Sequence, residues 1–310
     1  MFAEKLKMKK YKNNPVLSPI LQNKWESKHV YNAGATIYNG KVYILYRAEG
    51  DEERKFWNDF LGPAVFPVSR LGLAISEDGY HISERLPEPV LGPTGELDMW
   101  GIEDPRITRI EDTYYIVYTI CSPFEGKDKL ALATTEDFKE FKRIGPIMED
   151  IAQRTAALIP EKFNGMYALI HRIRPNIRLS FTKDFKSWSN SQVIMKTRIN
   201  SWEENYIGIG PPPIKTEKGW LVFYHGVDRY YTYRVGVALL DLNNPTKVIK
   251  RLKEPILEPE EEYEVKGTTP NVVYPCGVVE KEGKYLLYYG AADTVLCVAE
   301  IDKDELLQNL

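Results

Sequence analysis

Asn39-Gly40-Lys41-Val42-Tyr43-Ile44-Leu45-Tyr46-Arg47 is a tight turn followed by a strand of alternating aromatic and aliphatic residues that ends on a polar residue. Asn-Gly pairs favour hairpin turns because both residues accept positive φ angles. The same pattern returns in residues 111–119, 164–172, 218–226 and 282–290. Five hairpins of one kind predict a fold built from repeats.

Each hairpin strand lies between further strand-like runs. One run precedes it, as in residues 33–38, 107–110 and 272–279, and another follows it in residues 71–76, 130–135, 177–182, 235–240 and 295–301. Phrases such as Phe185-Lys186-Ser187-Trp188 begin a fourth run. Four short strands repeated five times predict an all-β, five-bladed β-propeller with four-stranded antiparallel blades around a central channel. The alternative is a β-sandwich whose similar turns are coincidental.

The repeats fill the sequence, so we predict a single domain over residues 1–310 that ends in a short helix over residues 302–310. Hydrophobic residues make up 43% and charged residues 27%, as in soluble globular proteins. The net charge of −3 gives no basic field, which argues against nucleic acid as a partner.

The first ten residues lack the apolar stretch of a signal peptide, and no run of about 18 apolar residues predicts a membrane span. Cys121, Cys276 and Cys297 are odd in number and far apart, so they match neither a disulfide framework nor a zinc site. These observations favour a reduced, cytoplasmic setting and no membrane partner.

Propeller geometry predicts where a site would lie. The start of each first strand and the end of each second strand meet at one face of the ring. The pairs at these places are Asn32 with Arg47, Asp104 with Thr119, Arg154 with Arg172, Tyr206 with His225, and Pro275 with Asp293. Polar and charged residues recur there, and an arginine closes an otherwise apolar strand twice. We therefore predict one polar pocket at this face.

The residue types at this face suit two chemistries. Carboxylates such as Glu103, Asp104 and Asp293, together with aromatic rings, suit cleavage of glycosidic bonds. Paired arginines suit a phosphate, which the guanidinium fork binds through two hydrogen bonds. The four histidines show no metal-ligand spacing, and Gly208-Ile209-Gly210 runs into three prolines, which excludes a nucleotide-binding loop there.

The sequence resembles glycoside hydrolase family 130, the mannoside phosphorylases and their hydrolytic relatives, over nearly its full length. The matching phrases are Asn32, Leu45-Tyr46-Arg47-Ala48, Ser69-Arg70-Leu71-Gly72-Leu73-Ala74, Gly101-Ile102-Glu103-Asp104-Pro105-Arg106-Ile107-Thr108, His171-Arg172, residues 219–227, Leu239-Leu240-Asp241-Leu242 and Tyr289-Gly290-Ala291-Ala292-Asp293.

The resemblance implies an inverting enzyme that cleaves β-1,2- or β-1,4-linked mannosides and releases α-mannose 1-phosphate. It implies that Asp104 is the acid, acting through the 3-hydroxyl of the sugar, and that inorganic phosphate is the co-substrate with no other cofactor. The implied substrate-binding residues are Asn32, Arg47, Glu103, Asp293 and Tyr224. The implied phosphate-binding residues are Arg154, Arg172, His225 and Tyr206.

One residue departs from the pattern of the phosphorolytic members, which usually carry a lysine at the position of Tyr206. Because a phenol brings no positive charge, we expect weaker phosphate binding unless another cation replaces the lysine. An inverting β-mannosidase with Glu203 or Glu204 as its base therefore stays open. A non-catalytic carbohydrate-binding propeller is the third interpretation, and Asp104 argues against it.

Residues 49–68 form an insertion in the first repeat, rich in charge and in aromatic residues (Phe56, Trp57, Phe60 and Phe66). We expect it to overhang the pocket. There it would either shape the subsite for the second sugar or mediate a subunit contact, which would make the protein a homo-oligomer.

Overall fold

The computed structural model of the chain describes residues 6–58, 62–122, 128–148 and 152–310. It is an all-β structure of several antiparallel sheets, and its strands form five successive units. Unit one contains β2 (His29–Tyr38), β3 (Lys41–Asn58), β4 (Gly62–Ser76) and β5 (Ile82–Arg85). Unit two contains β6 (Gly101–Ile110), β7 (Thr113–Cys121), β8 (Lys129–Thr135) and β9 (Lys142–Ile147). A 3₁₀ turn (Glu96–Asp98) lies between the two units.

Unit three contains β10 (Ala156–Leu158), β11 (Tyr167–Ile173), β12 (Asn176–Thr182) and β13 (Gln192–Met195). Unit four contains β14 (Tyr206–Ile209), β15 (Ile214–Thr216), β16 (Gly219–Val227), β17 (Tyr233–Leu240) and β18 (Val248–Arg251). Both β14 and β15 pair with β16, because the prolines at 211–213 lack the N–H groups that would continue one strand between them.

Unit five contains β19 (Val273–Lys281), β20 (Lys284–Ala291) and β21 (Val295–Asp302), and β1 (Lys9–Lys10) pairs with β21 as its outer strand. Two helices accompany this unit, α1 (Glu262–Val265) and α2 (Lys303–Gln308). The predicted terminal helix is thus present. No strand pattern in the sequence indicated β1, which is two residues long. None of the helices in the described ranges has the length and apolar character needed to span a membrane.

The second strand of each unit is apolar on both faces because both faces are buried. In β20, Tyr285, Leu287 and Tyr289 pack towards unit four, whereas Leu286 and Tyr288 pack towards unit one. Successive side chains of a strand point to opposite faces, so one strand contributes to two cores. This explains why the five sequence repeats are continuously hydrophobic.

The hydrophobic core is divided among the contacts between units. Within the described residues, large buried clusters join unit one to two, two to three, three to four, four to five, and five back to one. The first strands also touch in order, with β2 contacting β6 and β19, and β10 contacting β6 and β14. Units one and two share one sheet through a parallel bridge between Ser69 and Gly101. The arrangement of the units as propeller blades stays a prediction.

The insertion of residues 49–68 extends the hairpin of β3 and β4, whose strands pair as far as Asn58 and Gly62. The side chains of Phe56, Trp57 and Phe60 lie outside the described residues. Phe66 stacks on Trp100 with their rings 3.9 Å apart, and Arg54 Nη1 donates to the Met99 carbonyl oxygen at 2.7 Å. These contacts attach the base of the extended hairpin to the segment that precedes unit two.

Candidate active site

A cavity of about 160 Å³ opens where the first strands begin and the second strands end. All five units contribute to its wall, which is strongly polar. The lining residues are Asn32, Arg47, Asp104, Arg154, Arg172, Arg174, Tyr233, Val272, Tyr274 and Asp293. The structure therefore brings together six residues that the sequence analysis selected from distant parts of the chain.

Three of the lining residues have left-handed backbone conformations, with φ angles of 47° at Asn32, 52° at Asp104 and 51° at Asp293. Asn32 and Asp104 lie in β-bulges, where β2 shifts register against β3 and β6 shifts register against β7. Asn and Asp tolerate this region better than most other residues. Gly34 lets the two bulges approach, because a Cβ atom there would lie 2.7 Å from the Pro105 carbonyl oxygen.

Asp104 is 5% exposed and is held by its neighbours. Asn32 Nδ2 donates to Asp104 Oδ1 at 2.9 Å, and Arg47 Nη1 lies 3.5 Å from the same oxygen. Arg106, which is buried, donates through Nη1 to the Asp104 carbonyl oxygen and through Nη2 to the Tyr274 hydroxyl at 3.1 Å. Both the side chain and the backbone of Asp104 are therefore fixed at the cavity.

The arginines on the Asp104 side of the cavity are neutralised. Arg47 pairs with Glu49 and, through Nη2, with Glu103 Oε1 at 2.8 Å, and Arg154 pairs with the other oxygen of Glu103. Burial alone would raise the pKa of Glu49, but Arg47 and three hydrogen bonds lower it to about 2. Glu103 thus holds two arginines and is not among the residues that line the cavity, and its predicted contact with the sugar stays a prediction.

Asp293 is the second carboxyl group at the cavity. Burial raises its pKa above the ordinary value, against the lowering effect of a hydrogen bond to Thr269 and of the positive charge of Arg47. A carboxyl group with a raised pKa retains its proton to higher pH and can then donate a hydrogen bond.

The opposite side of the cavity carries charges without counterions. Arg172 and Arg174 lie there, and no carboxylate among the described residues comes within ion-pair distance of either one. Burial lowers the pKa of Arg172, Tyr274 opposes that change, and the charge of Arg174 adds to it. An uncompensated pair of guanidinium groups is a site for an anion.

His225 lies behind the cavity wall and contacts Arg172. It is fully buried and does not line the cavity, which differs from its predicted place on the phosphate. Burial, followed by the charges of Arg172 and Arg106, holds the pKa of His225 well below its usual range, so the ring is neutral. Its Nε2 lies 3.1 Å from Arg172 Nη1 and must accept, which assigns the ring proton to Nδ1. His225 therefore orients Arg172.

Tyr206 also lies behind the cavity wall. It is 3% exposed, its hydroxyl hydrogen-bonds that of Tyr233, and the guanidinium groups of Arg174 and Arg172 stand 4.1 and 5.3 Å from its ring centroid. Its ring rather than its hydroxyl faces the cations, so a direct phosphate contact is not what the structure shows for it.

Tyr224 and Glu203 lie in the core between units three and four, away from the cavity. The Tyr224 hydroxyl donates to Glu203 Oε2 at 2.7 Å, and Arg251 Nη2 donates to the same oxygen at 2.6 Å. Trp202 stacks on Tyr224. The prediction that Tyr224 binds substrate does not fit this position, and Glu203 is too buried to activate water.

Unit one repeats this arrangement, which identifies it as structural. There the Tyr46 hydroxyl donates to Glu26 Oε2 at 2.8 Å, Arg85 Nε lies 3.0 Å from that hydroxyl, and Trp25 stacks on Tyr46. A carboxylate that recurs in an equivalent place with the same partners braces units one and four.

A larger cavity of about 680 Å³ is lined by Glu204, whose carboxylate is paired with an arginine of the same cavity. Arg229 Nη2 donates to Glu204 Oε2 at 2.9 Å, and Arg234 pairs with Asp228 at 2.8 Å. Because Glu204 lines this other cavity and is bonded to Arg229, it cannot act as a base beside Asp104. We therefore assign the candidate active site to the smaller cavity. Within the described ranges, no group of three His, Cys, Asp or Glu residues is arranged to hold a metal ion.

The sequence analysis missed four lining residues, namely Arg174, Tyr233, Val272 and Tyr274. Arg174 had a signal, because it follows Arg172 by two positions, the spacing at which residues of a strand share a face, and it comes directly after the end of β11. The other three lie at strand starts in units four and five, where no charge marked them.

A buried carboxyl group that faces two arginines without carboxylate partners among the described residues suits an enzyme that brings a glycoside and an anion together. The chain belongs to glycoside hydrolase family 130, since residues 7–310 match the family model, which is described as β-1,4-mannooligosaccharide phosphorylase.

The chain is 43% identical over 311 residues to a β-1,2-mannobiose phosphorylase of Thermoanaerobacter sp. (strain X514), covering 95% of this chain and 97% of the relative. It is 39% identical over 302 residues to a 1,2-β-oligomannan phosphorylase of the same organism, covering 97% and 99%. Among solved structures, the β-1,2-mannobiose phosphorylase from Listeria innocua in complex with β-1,2-mannobiose matches with a TM-score of 0.86 at 30% identity, covering 98% of this chain and 99% of that one.

Proposed function

We propose that the protein is an inverting phosphorylase of β-1,2-linked manno-oligosaccharides. It would take β-mannoside and inorganic phosphate and release α-mannose 1-phosphate, with no other cofactor. The observation that carries this proposal is the cavity itself, where the fixed carboxyl group of Asp104 faces Arg172 and Arg174, which lack carboxylate partners among the described residues. The names of the relatives support the β-1,2 linkage, with β-1,4 as the second candidate.

In the proposed reaction, a phosphate oxygen attacks C1 of the mannosyl group from the α face as the bond to the leaving oxygen breaks. Asp104 supplies the proton for the leaving oxygen, passed through the 3-hydroxyl of the sugar. Asn32, Arg47 and Asp293 surround the mannosyl ring on the side of Asp104. Arg172, held in place by His225, binds the phosphate. Arg154, which shares its charge with Glu103, contributes to phosphate binding from the Asp104 side.

The proposal includes a single domain of five blades. The clusters that join each unit to the next, and the fifth to the first, support a closed ring. A closed ring explains how residues from positions 32 to 293 meet in one cavity. A cytoplasmic location stays a prediction, as does a homo-oligomeric state.

The hydrolase is the second candidate, and the geometry disfavours it. An inverting hydrolase needs a carboxylate to activate water, whereas Glu203 and Glu204 are tied to arginines outside the cavity. Water is uncharged, so its attack does not require two arginines without counterions. A protein that only binds carbohydrate has no use for a buried, oriented acid.

The test is to incubate the purified protein with β-1,2- and β-1,4-mannobiose, with and without phosphate, and to follow the products by NMR. We expect α-mannose 1-phosphate and mannose from the β-1,2 disaccharide, only when phosphate is present. Mannose released at the same rate without phosphate would replace this proposal by the hydrolase. No turnover of either mannobiose would contradict both.

A further inference from the structure

Arg174 lies just beyond the end of β11 (Tyr167–Ile173), two residues after Arg172. Both side chains line the cavity that contains Asp104, and Arg174 is solvent-exposed whereas Arg172 is buried. The first arginine therefore forms part of the cavity floor, and the second lies at its rim.

The ring of Tyr206 gives the Arg174 side chain a preferred position. The guanidinium carbon of Arg174 lies 4.1 Å from the centroid of the Tyr206 ring, a distance at which the ring face attracts a cation. Tyr206 is buried and its hydroxyl is bonded to that of Tyr233, so the ring cannot swing away without breaking this bond. A long, exposed arginine thus has a preferred place beside the cavity.

The charges around the cavity show why an arginine at this place matters. Arg47 and Arg154 each have carboxylate partners, whereas Arg172 and Arg174 have none among the residues that the structure describes. Two neighbouring guanidinium groups repel each other, and a dianion bound between them would remove that repulsion. Water would not, so the second charge favours phosphate over water as the attacking group.

We propose that Arg174, held by the ring of Tyr206, is a phosphate-binding residue of this enzyme and determines its preference for phosphate over water. The positive charge that residue 206 lacks is supplied from unit three by Arg174. This inference rests on the proposed function, because it names a further ligand for the attacking phosphate.

The experiment compares the wild type with Arg174→Ala, Arg174→Lys and Arg109→Ala. Arg109 is the matched control, because its guanidinium also stands over a tyrosine ring, 5.6 Å from the centroid of Tyr114, but outside the cavity. KM is measured separately for phosphate and for β-1,2-mannobiose. The Kd of inorganic phosphate is measured by calorimetry without mannoside, so that binding is observed apart from turnover.

We expect Arg174→Ala to raise both the KM and the Kd for phosphate about tenfold or more, the loss of one charge-assisted contact. The KM for mannobiose should stay within about twofold of the wild-type value, as should all constants of Arg109→Ala. Arg174→Lys keeps the charge but loses the planar fork and should show a smaller rise.

An unchanged phosphate Kd in Arg174→Ala would overturn the inference, even if the wild type proves to be a phosphorylase. A rise in the KM for mannobiose alone would also overturn it, by placing Arg174 against the sugar. Failure of the proposed function is distinguishable, because it would already be seen in the wild type as mannose release that does not depend on phosphate.

Discussion

Replacing Asp104 by asparagine should remove the proton donor and leave the rest of the cavity in place. Asparagine has nearly the same volume and accepts a left-handed backbone. It also keeps an oxygen for the hydrogen bond from Asn32, which is 2.9 Å long in the wild type. Arg47 loses a contact of 3.5 Å but keeps Glu49 and Glu103, so no buried charge is left unpaired. We therefore expect the free energy of unfolding to fall by only about 1 kcal/mol.

The catalytic effect should be far larger than the effect on stability. General acid catalysis contributes about 10²- to 10⁴-fold, which corresponds to about 3–5.5 kcal/mol in the activation free energy. The assay is the initial rate of α-mannose 1-phosphate formation from β-1,2-mannobiose at saturating phosphate. A second substrate, 4-nitrophenyl β-mannoside, has a leaving group that needs little protonation, so the defect of Asp104→Asn should be much smaller with it.

Asp137→Asn is the control for this variant. Asp137 lies in a turn of the same unit, where its Oδ1 accepts from the Lys139 backbone N–H at 2.9 Å, and the variant should keep wild-type activity. Turnover of mannobiose by Asp104→Asn within about tenfold of the wild type would refute the assignment of Asp104 as the acid. An equal loss with both substrates, accompanied by a large fall in Tm, would show that Asp104 serves the fold instead.

Three further predictions follow from contacts already described. Arg172→Ala should raise the KM for phosphate about 10- to 100-fold with little change in the KM for mannobiose, and an unchanged phosphate dependence would make Arg172 structural. Tyr224→Phe should lower the free energy of unfolding by about 1–3 kcal/mol in urea titrations, because Glu203 loses a buried donor, whereas a raised KM for mannobiose would return Tyr224 to the sugar site. His171 is buried, and burial followed by the charge of Arg178 lowers its pKa to about 4, so the folded state favours the neutral ring. Its contribution to stability is full above pH 6.5 and falls by up to about 3 kcal/mol as the pH drops towards 4. In urea titrations across this range, the free energy of unfolding should decline less steeply in His171→Gln than in the wild type. An identical decline in both proteins would contradict the lowered pKa of His171.

The repeats in the sequence predicted the five units because each second strand must be apolar on both faces, and that requirement leaves a continuous hydrophobic run between two turns. The outer strand of unit five had no such requirement. Lys9 and Lys10 pair with β21 through backbone groups only, and no side-chain pattern marks them.

The candidate site was predictable wherever a charged residue interrupted an apolar strand, as at Arg47 and Arg172. The buried position of Tyr224 could not be predicted, because a tyrosine beside a polar strand end suits a sugar site and a braced core equally well. The repeated dipeptides Trp25-Glu26 and Trp202-Glu203 could have separated these alternatives, since a feature shared by two units serves the units rather than one site.

The exposure of a side chain at a strand end depends on which neighbour covers it in the fold, and the amino-acid sequence alone does not show which residue that is. His225 and Tyr206 were predicted to contact phosphate, but neither lines the cavity: His225 contacts Arg172, and Tyr206 contacts Tyr233 and Arg174. Their expected contact with phosphate became a supporting contact for that reason.

The left-handed backbone at Asn32, Asp104 and Asp293 affects how mutational scans of this cavity should be interpreted. A residue forced into that region destabilises the protein by about 1–3 kcal/mol unless its type tolerates it. Alanine at these three positions would therefore combine conformational strain with lost chemistry, and the measured defects would overstate what each side chain does for the reaction. Amide-for-acid and acid-for-amide exchanges keep the backbone preference and report on the chemistry alone.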